Sequence, residues 1–177
     1  MKKAGLVVAL LGAFAMIALA AVPPSNFGGT WALDKSKSQG IPPRMQDADV
    51  TWVITQTDKE ITIKQKVTGG EMSGPGGGGG RGVGMAGPRT YKLDGSESTV
   101  EDTGRMPGKS TLKASWSNDG KTLELSSNSI RNFQGNEVTI TSTDKFELSD
   151  DGKVLTVNRH SESPRGTQDS TLVFNKQ

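Results

Sequence analysis

The chain has 177 residues, no cysteine and a single histidine, with 21 Lys+Arg against 19 Asp+Glu. Lacking cysteine, it has no disulfide framework, no lipid-anchoring cysteine and no thiol nucleophile. Two of the lysines, Lys2 and Lys3, sit in a leader expected to be removed, so the rest balances at 19 (21 − 2) against 19. The basic excess that a nucleic-acid face needs is absent.

In chain order, the leader comes first. Lys2 and Lys3 precede an apolar run from Leu6 to Leu19, and Ala18-Leu19-Ala20 supplies a small-x-small cleavage pattern. The run is short against the roughly 20 residues of a bilayer span, and no basic stop-transfer cluster follows. A signal peptide is expected over residues 1–20, with no membrane span once it is cut and a periplasmic or secreted product. Residues 21–177 then form one ordinary domain.

From there the pattern is alternation with a period of two. Val50, Trp52 and Ile54 alternate with Thr51, Val53 and Thr55, and Ile61, Ile63 and Val67 follow beyond Asp58-Lys59. β-Branched and aromatic residues dominate, as strands prefer. Next come residues 68–88, expected to be a disordered loop: from Gly69 to Pro88, 11 of 20 residues are glycine. No Lys-Ser/Thr pair follows the glycines as a phosphate loop requires, because Arg81 is followed by Gly82. The G-x-G-x-x-G match at Gly82, Gly84 and Gly87 follows from composition, and a strand after Pro88 replaces the helix such a motif opens.

Turn dipeptides punctuate the remainder: Asp94-Gly95, Asp119-Gly120, Gly135-Asn136 and Asp151-Gly152. Taken as the centres of two-residue turns, they set registers. Asp119-Gly120 puts Trp116 opposite Leu123, and Asp58-Lys59 puts Ile54 opposite Ile63. Gly135-Asn136 puts Leu125 opposite Phe146, Leu123 opposite Leu148, Glu124 opposite Glu147, and Ser127 opposite Asp144. Asp151-Gly152 puts Phe146 opposite Val157 and Asp144 opposite Arg159, predicting an inward ion pair. One apolar face survives three successive hairpins, although a one-residue slip would invert it. The fold predicted is all-β: a single antiparallel up-and-down barrel of eight to ten strands, which removes its own edges.

The same parity turns Gln56, Gln65, Ser127, Ser129, Arg131, Ser142, Asp144, Arg159, Gln168 and Ser170 toward the interior. A dry core rarely holds so many polar groups. Either water fills part of the barrel, or a ligand with a polar head lies there. His160 points outward beside Thr143, so no triad or histidine metal cage assembles around it. No catalytic residue, metal or cofactor is expected, and the chain is not read as an enzyme.

"NFGGTWALDKSKS" (residues 26–38), "YKLDGSE", "WSNDG", "ELSDDGKVLTV" and "LVFNK" together carry a resemblance. The first is similar to the first-strand signature of lipocalins and fatty-acid-binding proteins. Nearly the whole chain resembles small exported bacterial lipocalin-like proteins of calycin type. The resemblance implies that Trp31 closes one end of the barrel, with Gly29 letting the chain bend into it. It departs in two ways: the glycine insertion is extreme, and no helix pair follows the first strands.

The leading functional reading is a small-molecule binding module for an apolar or amphipathic ligand. Trp52, Tyr91, Trp116 and Phe146 supply the apolar wall, and Arg159, paired with Asp144, or Arg131 the polar handle. The alternative is a non-catalytic structural or interaction module of the cell envelope whose barrel is packed solid.

Overall fold

The computed structural model describes residues 24–41, 43–69, 87–102, 107–133 and 135–177. The leader lies outside them, as does the glycine-rich segment apart from Thr68, Gly69, Gly87 and Pro88. Ten strands are present: β1 (Gly29–Leu33), β2 (Ala48–Gln56), β3 (Glu60–Gly69), β4 (Arg89–Lys92), β5 (Ser98–Asp102), β6 (Gly108–Trp116), β7 (Leu123–Phe133), β8 (Asn136–Leu148), β9 (Val154–Ser163) and β10 (Gly166–Lys176). One helical turn, α1 (Pro43–Gln46), joins β1 to β2. Among the described residues no helix is long and apolar enough to cross a membrane.

All ladders are antiparallel, in the order β4-β3-β2-β1-β10-β9-β8-β7-β6-β5. β1 pairs with β10, so the two ends of the domain lie side by side in the wall. The ladder stops at β4 and β5, consecutive in sequence, where Ser98 Oγ donates to the Thr90 carbonyl at 2.9 Å. The result is a nearly closed up-and-down barrel. Thr68 and Gly69, expected in the loop, extend β3 and pair with Asp49 and Ala48.

Three of the four register expectations hold: Ile54 faces Ile63, Trp116 faces Leu123, and Phe146 faces Val157. The Asp-Gly turns close differently from two-residue turns. Gly120 N–H donates to the Ser117 carbonyl at 2.9 Å, and Gly152 N–H to that of Ser149 at 2.8 Å. Asp119 and Asp151 each accept from the serine hydroxyl two residues back and from the amide two residues on. Gly120 and Gly152, at φ 68° and 65°, take the left-handed conformation that ends such a turn.

The fourth register is shifted by two. Gly135-Asn136 does not centre the β7–β8 turn, because Asn136 already pairs with Phe133 in the ladder. Gly135 has φ 84°, and its N–H donates to Asn132 Oδ1 at 3.1 Å. Thus Leu123 faces Phe146, Leu125 faces Asp144, and Ser127 faces Ser142 rather than Asp144. A shift of two leaves every side chain on its face. It also replaces the expected Glu124–Glu147 repulsion with Glu124 opposite Lys145, 3.7 Å between Oε2 and Nζ.

The inner face is divided along the axis. One end carries the β2–β3, β4–β5, β6–β7 and β8–β9 turns, and its interior is apolar. Trp31, Ile54, Ile61, Leu123, Leu125, Phe146, Leu155, Val157 and Phe174 are buried there. The opposite end carries α1 and the remaining connections, and its interior mixes the polar Gln65, Asp102, Ser110, Ser127, Ser129, Arg131, Ser142, Arg159 and Ser170 with the apolar Ala48, Val50 and Val67.

Candidate functional site

The apolar end is plugged by the chain entering it. Ser25 N–H donates to the Gly120 carbonyl at 2.9 Å. Gln56, turned inward as its parity predicts, holds this entry segment: its Oε1 accepts from Phe27 N–H at 2.9 Å and its Nε2 donates to the Ser25 carbonyl at 3.0 Å. Phe27, wholly buried, stacks on Trp116 (6.0 Å, 19°) and meets Phe146 edge-on (5.8 Å, 83°). Trp31 is also wholly buried, its indole N–H donating to the Phe27 carbonyl at 2.8 Å, with Lys176 Nζ 5.2 Å from its ring centre. Gly29 sits at φ 144°, where a Cβ would come within 3.0 Å of the Lys176 side chain. Trp116 therefore serves the plug and is only half-buried.

Above the plug, Trp52 packs on Phe146 (5.8 Å) and Phe174 (4.4 Å). Arg159 lies over the Trp52 ring, 5.8 Å from guanidinium carbon to ring centre, a cation–π distance. Arg159 Nε and Nη2 donate to Asp144 Oδ1 and Oδ2, both at 2.6 Å, the planar fork meeting the carboxylate in two parallel bonds. Burial opposes the charge on Arg159; the Asp144 carboxylate outweighs it and raises the guanidinium above its ordinary range. Tyr91 is buried beside this pair, and burial pushes its hydroxyl upward, keeping it neutral as a donor. Trp52, Tyr91, Asp144, Phe146 and Arg159 thus form one cluster. Trp52 Nε1, itself buried, has no hydrogen-bond partner among the described residues.

Arg131 belongs to a second cluster. Its Nη2 contacts Asp102 Oδ2 at 2.6 Å, Ser110 Oγ donates to the same oxygen at 3.0 Å, and Ser110 and Ser129 hydroxyls lie 2.8 Å apart. Sequence parity missed Asp102 because the turns flanking β5 are irregular and transmit no register. Gln168, expected inside, is exposed and reaches the Gly40 carbonyl at 3.4 Å. Ser170 and Gln65 are half-buried on the inner face, opposite Arg159 and Trp52.

His160 faces outward opposite Thr143. Its Nδ1 lies 2.6 Å from Asp169 Oδ1 and its Nε2 3.4 Å from Glu162 Oε1, contacts that raise its pKa, Asp169 first. It borders an open outer groove of about 450 Å³ with Thr143, Lys145, Asn158, Asp169 and Thr171. Among the described residues no group of three or more His, Asp or Glu is placed to hold a metal ion.

No family model and no curated protein sequence matches this chain. Among solved structures, it is similar to zebrafish ileal bile acid-binding protein complexed with cholic acid. The TM-score is 0.50 at 16% identity, covering 85% of this chain and 98% of the other. At that identity the likeness concerns architecture: a calycin-like, ten-stranded antiparallel barrel.

Proposed function

We propose that this chain is an exported, non-catalytic binding protein that takes a small amphipathic molecule into its barrel. The apolar part would lie against Trp52, Phe146 and Tyr91, and the polar part toward the Asp144–Arg159 pair. The observation that carries this reading is the buried Trp52 indole N–H, which has no acceptor among the described residues. Such a group loses its water on folding at a cost of about 1–3 kcal/mol, which an acceptor on a ligand would recover. The apolar-to-polar division of the inner face supports an amphipathic occupant over a purely apolar one. The zebrafish protein is seen with a bile acid, itself amphipathic, in a barrel of similar architecture. The rival reading, a packed envelope module, draws on the plug, where Phe27, Trp31 and Phe146 are wholly buried.

Native mass spectrometry of protein exported by a bacterial host, before and after lipid extraction, tests both proposals together. The expected mass is that of a chain beginning near Ala21 plus a small-molecule adduct removed by extraction. A mass retaining Met1 contradicts export with cleavage. A cleaved chain without an adduct, in repeated preparations, favours the packed module.

A further inference from the structure

The chain holds three Asp-Gly pairs and no Asn-Gly pair. An Asp-Gly pair is prone to rearrange, because glycine leaves its own nitrogen unshielded and the backbone free to turn. The glycine nitrogen attacks the aspartate Cγ, a C–N bond forms, and the side-chain hydroxyl leaves with the amide proton as water. Water then opens the five-membered imide at the former main-chain carbonyl, and the chain continues through Cβ as an isoaspartate. The water lost in the first step returns in the second, so no enzyme or oxidant is required.

In sequence the three pairs look alike, but the fold makes them unequal. Gly120 N–H donates to the Ser117 carbonyl at 2.9 Å, and Gly152 N–H to that of Ser149 at 2.8 Å. Asp119 Oδ1 is held from both sides, by Ser117 Oγ at 2.6 Å and Lys121 N–H at 3.1 Å. Asp151 Oδ1 is held in the same way by Ser149 Oγ and Lys153 N–H. Strand pairing continues to the base of both turns, Trp116 with Leu123 and Leu148 with Leu155.

The Asp94-Gly95 turn lacks these restraints. No bond of that kind holds Gly95 N–H among the described residues. Asp94 Oδ1 accepts only from Ser96, amide and hydroxyl, at 2.8 and 2.7 Å, so the carboxylate moves with its own turn. β4 pairs with β3 and β5 with β6, and no ladder joins β4 to β5. Beyond the Ser98 hydroxyl on the Thr90 carbonyl, nothing hydrogen-bonds the two strands across this turn. Asp94 is also exposed, which admits the hydrolysing water. A serine hydroxyl, foremost, holds all three carboxylates below their ordinary range, so ionisation does not set the order. We infer that Asp94 is a site of spontaneous isoaspartate formation in the folded protein, while Asp119 and Asp151 are protected by their serine-anchored hairpins.

The test stores the purified folded protein for weeks at neutral pH and body temperature, then digests it with trypsin. The three pairs fall in separate peptides, 93–105, 114–121 and 146–153. Liquid chromatography separates each peptide from its isoaspartyl isomer, and electron-transfer fragmentation locates the altered residue. Isoaspartate should accumulate at Asp94 at least about fivefold faster than at Asp119 or Asp151, the weight of one hydrogen bond of about 1 kcal/mol on the glycine nitrogen. Storage in concentrated urea should bring the three rates together, because the order belongs to the fold. Asp94→Glu, which would need a six-membered ring, should silence the first peptide. Equal rates in the folded protein, Asp119 or Asp151 reacting first, or an order unchanged by urea overturns the assignment. So does a folded Asp94 that stays intact while the unfolded chain reacts.

Discussion

Arg159 illustrates how a single side chain divides its duties. Its stem and guanidinium cover Trp52, its fork holds Asp144, and about a third of the side chain (32%) stays exposed against 12% for Asp144. Arg159→Ala leaves the less exposed partner charged and uncompensated, which should destabilise the protein by about 3 kcal/mol in urea unfolding, the low end for breaking such a pair. Replacing both partners by apolar residues, Asp144→Leu with Arg159→Met, should return stability to within about 1 kcal/mol of the original, because the desolvation penalty leaves with the charges. A single variant as stable as the parent would mean that water, not protein, surrounds Asp144. The pair itself was legible beforehand, since one Asp-Gly turn at Asp151-Gly152 sets its register. The partner of Arg131 was not: Asp102 comes from a five-residue strand with irregular connections on both sides.

At the scale of elements, hairpins with strong turn residues could be read and everything joined by longer connections could not. The β2–β3, β6–β7 and β8–β9 registers follow from Asp58-Lys59, Asp119-Gly120 and Asp151-Gly152. The β7–β8 hairpin was placed two residues off, since glycine fits either central position and Asn136 proved to be the first strand residue. Neither α1 nor the entry of residues 24–28 into the barrel end has a periodic signal, because the plug is made by one Phe and by Gln56 bonds to backbone. Close approach between strands also leaves a testable mark. At Gly108, where β6 meets β7, a Cβ would run into the Ile130 carbonyl oxygen. Gly108→Ala must push the strands apart and should cost about 1–3 kcal/mol, as overpacking does. Gly87→Ala, with nothing within 4 Å, is the matched control and should leave the urea midpoint unchanged.

For the whole molecule, the central feature is a barrel plugged and aromatic at one end, richer in polar side chains at the other, with a buried donor between them. In the proposed reading an amphiphile would lie along this axis, its tail toward the plug and its head toward the Asp144–Arg159 pair. The three tryptophans make this directly observable, since each indole N–H gives its own signal in a two-dimensional nitrogen–proton spectrum. Trp31 is already bonded to the Phe27 carbonyl, whereas Trp52 has no acceptor among the described residues. Titrating decanoate into the delipidated protein should move the Trp52 indole signal to saturation at one equivalent and leave that of Trp31 in place. An unmoved Trp52 signal, with shifts confined to the outer groove around Thr143, Asn158 and Asp169, would contradict the account.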